Sequence, residues 1–247
     1  SEPSTRAAGQ TNVTLTRRKR STSVGTAAHH HHQAPGTSTT PRTMGNAQSA
    51  PLPLTSIDSP LAPPLDARFQ AASEYRFLLK EKLFSFSGDD FNVINEQNQV
   101  ICRIDGKCFS LRNEMRVLDA EGNHTMTMRK KLISLGAQYR VEAAGQEGSA
   151  DDKSQAMLTI EQKLMTLRPK LEVFRGATHV FDCKGNLLGH KFKFFLPGTE
   201  TLIAQAGVGL FQFNFANCYQ VRCAPGVDVL AVLLTCIALD EILRDKK

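Results

Sequence analysis

Residues 226–243 read Gly226-Val-Asp-Val-Leu-Ala-Val-Leu-Leu-Thr-Cys-Ile-Ala-Leu-Asp-Glu-Ile-Leu243, and the fold turns on how this run is understood. Between Val229 and Leu239 only Thr235 interrupts the apolar residues, so a helix built here has no polar face. Such a helix either crosses a membrane or lies inside protein. Length separates the two. Eleven residues at about 1.5 Å each reach roughly 16 Å, whereas a bilayer core needs about 30 Å. Asp228 and Asp240-Glu241 bound the run, and carboxylates deep in lipid are costly. The expectation is a helix threaded through a protein core, with no transmembrane span. Asp228 suits the positive end of its dipole; Asp240 and Glu241 do not, and are expected in water at the mouth of whatever surrounds it.

The preceding sequence says what surrounds it. From Tyr75 onward, short apolar-alternating segments are separated by polar turns: Tyr75–Phe86, Phe91–Ile94, Val100–Ile104, Lys107–Leu111, Met115–Leu118, His124–Lys130, Gln138–Glu142, Met157–Glu161, Leu171–Phe174, Thr178–Phe181, Leu187–Phe195, Thr201–Ala206, Leu210–Phe213 and Cys218–Val221. About a dozen such strands predict an antiparallel sandwich or barrel. Three related stretches, Ile94–Gln99, Leu118–Asn123 and Phe181–Asn186, each combine an Asx with a Gly or Asn able to take positive φ, and read as hairpin turns. Ala143–Ser154 reads as a surface loop.

Residues 1–66 are rich in Ser, Thr, Pro, Ala and Gly, have few bulky apolar residues, and are expected to form a disordered tail ahead of a domain at 67–247. The net charge of +6 sits mostly in this tail, where residues 1–43 hold six Lys/Arg against one acid. The remainder is near neutral, so bulk charge points to no polyanionic partner and nucleic-acid binding is not expected. Arg17–Arg20 is a four-residue basic cluster that leaves nuclear import or DNA contact as an alternative, and His29–His32 reads as low-complexity sequence. Met44-Gly45-Asn46-Ala47-Gln48-Ser49 fits the N-myristoylation pattern, with Gly45 the acceptor if translation starts at Met44.

Cys102, Cys108, Cys183, Cys218, Cys223 and Cys236 show no metal-ligand spacing and read as small hydrophobes in a reducing, cytoplasmic setting, since no hydrophobic leader lies near Ser1. No catalytic constellation, metal site or cofactor site is expected: His124, His179 and His190 have no nucleophile motif beside them, and Gly207-Val-Gly209 lacks the Lys of a phosphate loop.

The chain resembles the LURP-one-related proteins of the Tubby C-terminal-like superfamily. The resemblance rests on Lys80–Phe91, Ile104–Arg112, Leu118–Asn123, Met128–Leu135 and Ala224–Asp228. It implies a closed antiparallel barrel of about twelve strands around the C-terminal helix, which agrees with the need to fill a barrel of that width. The superfamily also includes phosphoinositide-binding domains and relatives of phospholipid scramblases. The expectation is therefore a non-enzymatic binding or adaptor protein, peripheral at the inner membrane face. Its candidate contacts with anionic lipid headgroups are Arg129, Lys130 and Lys131 at one strand end and Lys191 and Lys193 on one face of another. A scramblase-like protein and a nuclear regulatory protein are the alternatives; the protein partner is not legible.

Overall fold

The computed structural model describes residues 51–81, 91–106, 114–131, 136–146, 156–164, 170–186, 191–208 and 219–244. The tail motifs at Arg17–Arg20, His29–His32 and Gly45, the expected strands Lys107–Leu111 and Leu210–Phe213, and most of the loop after Ala143 lie outside these residues.

Twelve antiparallel strands close into a barrel: β1 (Tyr75–Glu81), β2 (Phe91–Asn95), β3 (Val100–Asp105), β4 (Glu114–Asp119), β5 (His124–Lys130), β6 (Gln138–Ala143), β7 (Leu158–Gln162), β8 (Lys170–Arg175), β9 (Thr178–Asn186), β10 (Lys191–Phe195), β11 (Leu202–Val208) and β12 (Tyr219–Cys223). Each pairs with its sequence neighbours, and β1 closes the ring against β12 with Phe77 opposite Val221. The strands alternate as a half-buried sheet requires. In β10, Lys191 and Lys193 are exposed while Phe192 and Phe194 are buried.

The C-terminal helix α1 (Val229–Arg244) lies in the core. Val229 to Leu239 are all at most 7% exposed, so the run is apolar all round because it is enclosed all round. Thr235, the one polar residue within it, donates Oγ1–H to the Ala231 carbonyl at 2.8 Å and so brings no unpaired group into the core. Each fully buried Leu, Ile or Val contributes about 1.5–3 kcal/mol, and α1 supplies more of the core than any single strand. Among the described residues no helix is long and apolar enough to cross a membrane.

Several expectations change. Asp119 accepts from Asn123 N at 2.8 Å and Asn95 from Gln99 N at 2.9 Å, so two of the three related stretches are turns. The third is not: Phe181–Asn186 is the second half of β9, because Phe181 and Cys183 alternate inward into the core. Glu241 is buried at 7% exposure instead of standing in water at the barrel mouth. Residues 51–66 are no free tail either. They form a strap along the outside and across one end of the barrel, with Thr55 N bonded to the Leu202 carbonyl, Ile57 N to the Pro225 carbonyl, and Leu65 N to Asp228 Oδ2. Few as its apolar residues are, the strap buries Leu65 and packs Leu54 and Ile57 on the core.

Candidate lipid-headgroup site

α1 occupies the interior that would hold a ligand in an open barrel, so binding chemistry belongs on the outer surface. A cavity of about 40 Å³ does lie beneath the strap, lined by Ile57, Phe181, Ile203, Val227, Arg175 and Asp228. That is room for a water or two and no more. Among the described residues no three His, Cys, Asp or Glu side chains gather as a metal site would need. His124 Nε2 lies 2.9 Å from Thr127 Oγ1, and His179 Nε2 lies 3.1 Å from Asp182 Oδ1 with its ring stacked on Phe174. Both are satisfied where they stand. His190 lies outside the described residues.

The five basic candidates do not form one patch. β5 and β10 are five strand steps apart in a ring of twelve, which puts Arg129, Lys130 and Lys131 on the far side of the barrel from Lys191 and Lys193. The two groups also differ in what holds them. Arg129 faces Glu114 at 3.1 Å and Glu142 at 3.6 Å, and its side chain is only 22% exposed. Lys130 and Lys131 are half-buried and already interact with other groups of the chain. Lys191 and Lys193 are exposed and have no hydrogen bond or ion pair among the described residues.

Strand register brings two further lysines alongside Lys193. Lys193 stands directly opposite Lys184, and Lys184 opposite Lys170, so three ammonium groups run in a row across β10, β9 and β8. Like charges placed directly opposite are unfavourable. The row persists because carboxylates hold two of its members. Lys170 Nζ is 3.0 Å from Glu172 and 3.1 Å from Asp182, and Lys184 Nζ is 2.7 Å from Glu200. Burial alone would push the Lys170 ammonium down, but these carboxylates outweigh it and hold its pKa above the usual lysine value. Lys184 also lies 4.7 Å from the centre of the Phe195 ring. Glu200 is 80% exposed, so its pair with Lys184 is a weak surface contact from which the lysine can turn to another anion. Reading Phe181–Asn186 as a turn hid Lys184; the alternation Phe181-x-Cys183-x-Gly185 was the signal that would have placed it outward.

The LURP-one-related family model matches residues 75–240, which is most of the chain and all of the barrel. The chain belongs to the LURP-one-related family. The strap lies outside the matched residues. Curated relatives of this LURP-one-related chain include the uncharacterized protein YxjI of Bacillus subtilis, 24% identical over 165 residues that cover 67% of this chain and 91% of that protein. Protein LURP-one-related 15 of Arabidopsis thaliana is 21% identical over 196 residues, covering 74% of this chain and 87% of that one. Protein LURP-one-related 14 of the same plant is 24% identical over 176 residues, 66% of this chain and 82% of that one. The crystal structure of an Arabidopsis thaliana protein superposes with a TM-score of 0.52 at 17% identity, covering 72% of this chain and 96% of that one, which shows that the two share a fold.

Proposed function

We propose that this LURP-one-related chain is a non-enzymatic binding protein, an adaptor that docks on anionic phospholipid headgroups at the cytoplasmic face of a membrane. The observation that carries this reading is the pair Lys191 and Lys193, exposed and without hydrogen-bond or ion-pair partners among the described residues, beside Lys184 in direct cross-strand register. Each basic residue near an anionic leaflet contributes about 1 kcal/mol, so three supply about 3 kcal/mol. That is marginal attachment. A myristoyl chain on Gly45, in a polypeptide started at Met44, is marginal too, with an association constant of about 10⁴ M⁻¹. The two together give stable binding, as two-signal anchoring requires.

The test is sedimentation with vesicles of phosphatidylcholine alone or with phosphatidylserine or a phosphoinositide added. Binding is expected only to the anionic vesicles, falling with salt and by about tenfold or more in Lys191→Glu/Lys193→Glu, which reverses two charges. Equal partition of that variant and the parent chain would remove the reading.

A further inference from the structure

Strap and barrel wall enclose a second space beside the buried cavity, and this one is open to solvent. The cleft, of about 340 Å³, has Leu61, Ala62 and Pro63 of the strap on one side and Met157, Arg175 and Thr178 on the other. Both sides belong to the same compact unit, Ser49–Lys247. At about 30 Å³ for each water displaced, it has room for a ligand of about ten heavy atoms. Leu61 is 51% exposed and Met157 half-buried, so the lining leaves apolar surface in contact with water.

Arg175 is the only charged side chain on these walls among the described residues. It ends β8, and the hairpin places it directly opposite Thr178 at the start of β9. Its Nη1 donates to the Met157 carbonyl and its Nη2 to the Pro64 carbonyl at 3.4 Å, so carbonyls from two different segments hold the fork in place. A guanidinium has five N–H donors, and these bonds use two of them. Nε is buried and has no acceptor. Arg175 makes no ion pair among the described residues. Asp228 acts on it only from a distance, with Oδ1 and Oδ2 already bonded to Ala231 N and Leu65 N. Burial holds the Arg175 pKa below the usual arginine value, as expected for a cation without a close counter-ion.

We propose that this cleft binds a free fatty acid of about eight carbons, with its carboxylate on Arg175 and Thr178 and its chain against Leu61 and Met157. A carboxylate matches the planar guanidinium fork, and the Thr178 hydroxyl beside it can donate to the same group. The strap decides against a peptide C-terminus. A peptide needs main-chain partners as well, and Pro63 and Pro64 offer no N–H, while the Pro64 carbonyl is already bonded to Arg175. An alkyl chain needs none. The strap side of the cleft lies outside residues 75–240, so the site is completed by sequence beyond the family match. It is also independent of the lysine row, which crosses β8 at Lys170, the other end of that strand.

The full chain, isotope-labelled on nitrogen, is titrated with octanoate and followed by NMR. The Arg175 Nε–H and Thr178 amide signals are expected to shift together and to saturate with a Kd of about 1 mM or tighter, within reach of a ligand of this size. Each buried methylene is worth about fourfold in affinity, so butanoate should bind at least about tenfold more weakly. Octanol, which lacks the charge, should leave the Arg175 signal in place. Arg175→Lys keeps the charge but loses the fork, and should weaken octanoate binding by about tenfold. Leu61→Glu sets a competing carboxylate at an exposed position on the cleft and should abolish it; that variant carries the test if the Arg175 change unseats the strap. No saturable shift with octanoate, unchanged affinity in Leu61→Glu, or an equal response to octanol would overturn the proposal. Tighter binding of N-acetyl-leucine than of octanoate would overturn the fatty acid in favour of a peptide C-terminus.

Discussion

Asp228 and Leu65 are joined across 163 residues of sequence: Leu65 N donates to Asp228 Oδ2 at 2.7 Å, while Oδ1 of the same carboxylate accepts from Ala231 N at 3.0 Å. One side chain thus caps the buried helix and clamps the strap over its entrance. Gly226, two residues earlier, shows how closely the strap is drawn in. Its φ is +84°, and a Cβ there would stand 2.0 Å from the Ile57 carbonyl oxygen.

Asp228→Ala removes both bonds. Loss of a helix N-cap costs about 0.5–2 kcal/mol, and leaving Leu65 N without its acceptor costs about 1–3 kcal/mol. The expected result is a destabilisation of about 2–4 kcal/mol in urea denaturation, with new protease cleavage between residues 51 and 66 under native conditions. A variant as stable as the parent, with the strap still protected, would contradict the clamp.

Two carboxyl groups make opposite contributions to stability as pH falls. Burial raises the Glu74 pKa, but hydrogen bonds from Arg222 and Arg76 outweigh it and hold the group below its ordinary value. Its contribution is therefore present above the unfolded pKa of about 4.3 and is lost as pH falls through the folded one. Burial pushes Asp228 up, against the bonds from Ala231 and Leu65. Its protonated form is favoured in the fold, so its contribution is full below the unfolded pKa of about 3.9 and is lost as pH rises through the folded one. Relative to the parent chain, Glu74→Gln should flatten the acid loss of stability and Asp228→Asn should steepen it, measured by denaturation at a series of pH values from neutral to about 3.

Gly185 on β9 faces Phe192 on β10 so closely that a Cβ would lie 2.2 Å from the ring. Gly185→Ala forces that ring or the strands apart and is expected to cost about 1–3 kcal/mol. Combining it with Phe192→Leu should cost less than the sum of the two single changes, because the smaller side chain vacates the space. Additive losses in thermal unfolding would show that the ring is not what excludes the methyl group.

Burial pushes the Cys102 thiol up to about 12, and it raises Cys183, Cys223 and Cys236 as well. Since the thiolate is the reactive form, all four should resist alkylation in the native protein and label fully in urea, as read by peptide mass mapping. Rapid native labelling of any of them would mean that its strand or the helix opens readily.

Much of the fold could be read before any coordinate. The run from Val229 to Leu239 lacks a polar face and is too short for a bilayer, and those two properties already require a protein jacket. Alternation such as Lys191-Phe-Lys-Phe194 marked which strand face was outward, and the Asx–Gly stretch at Leu118–Asn123 marked a true turn. The same turn chemistry misled at Phe181–Asn186. There Asp182 and Lys184 took outward positions on a strand whose core face was supplied by Phe181 and Cys183, and tertiary burial overrode the local turn preference.

What the sequence by itself determined was the pairing of a buried helix with an antiparallel barrel, since periodicity and length are local properties that burial must satisfy. Only the tertiary structure decided which basic side chains remain available. Arg129 meets Glu142 from the neighbouring strand, Lys193 meets Lys184, and Arg222 meets the carbonyl of Leu52 from a segment whose composition read as tail. These are relations of register and closure between residues far apart in the chain. No periodicity encodes them, because they arise only when strands align side by side and the strap folds back across the barrel's end.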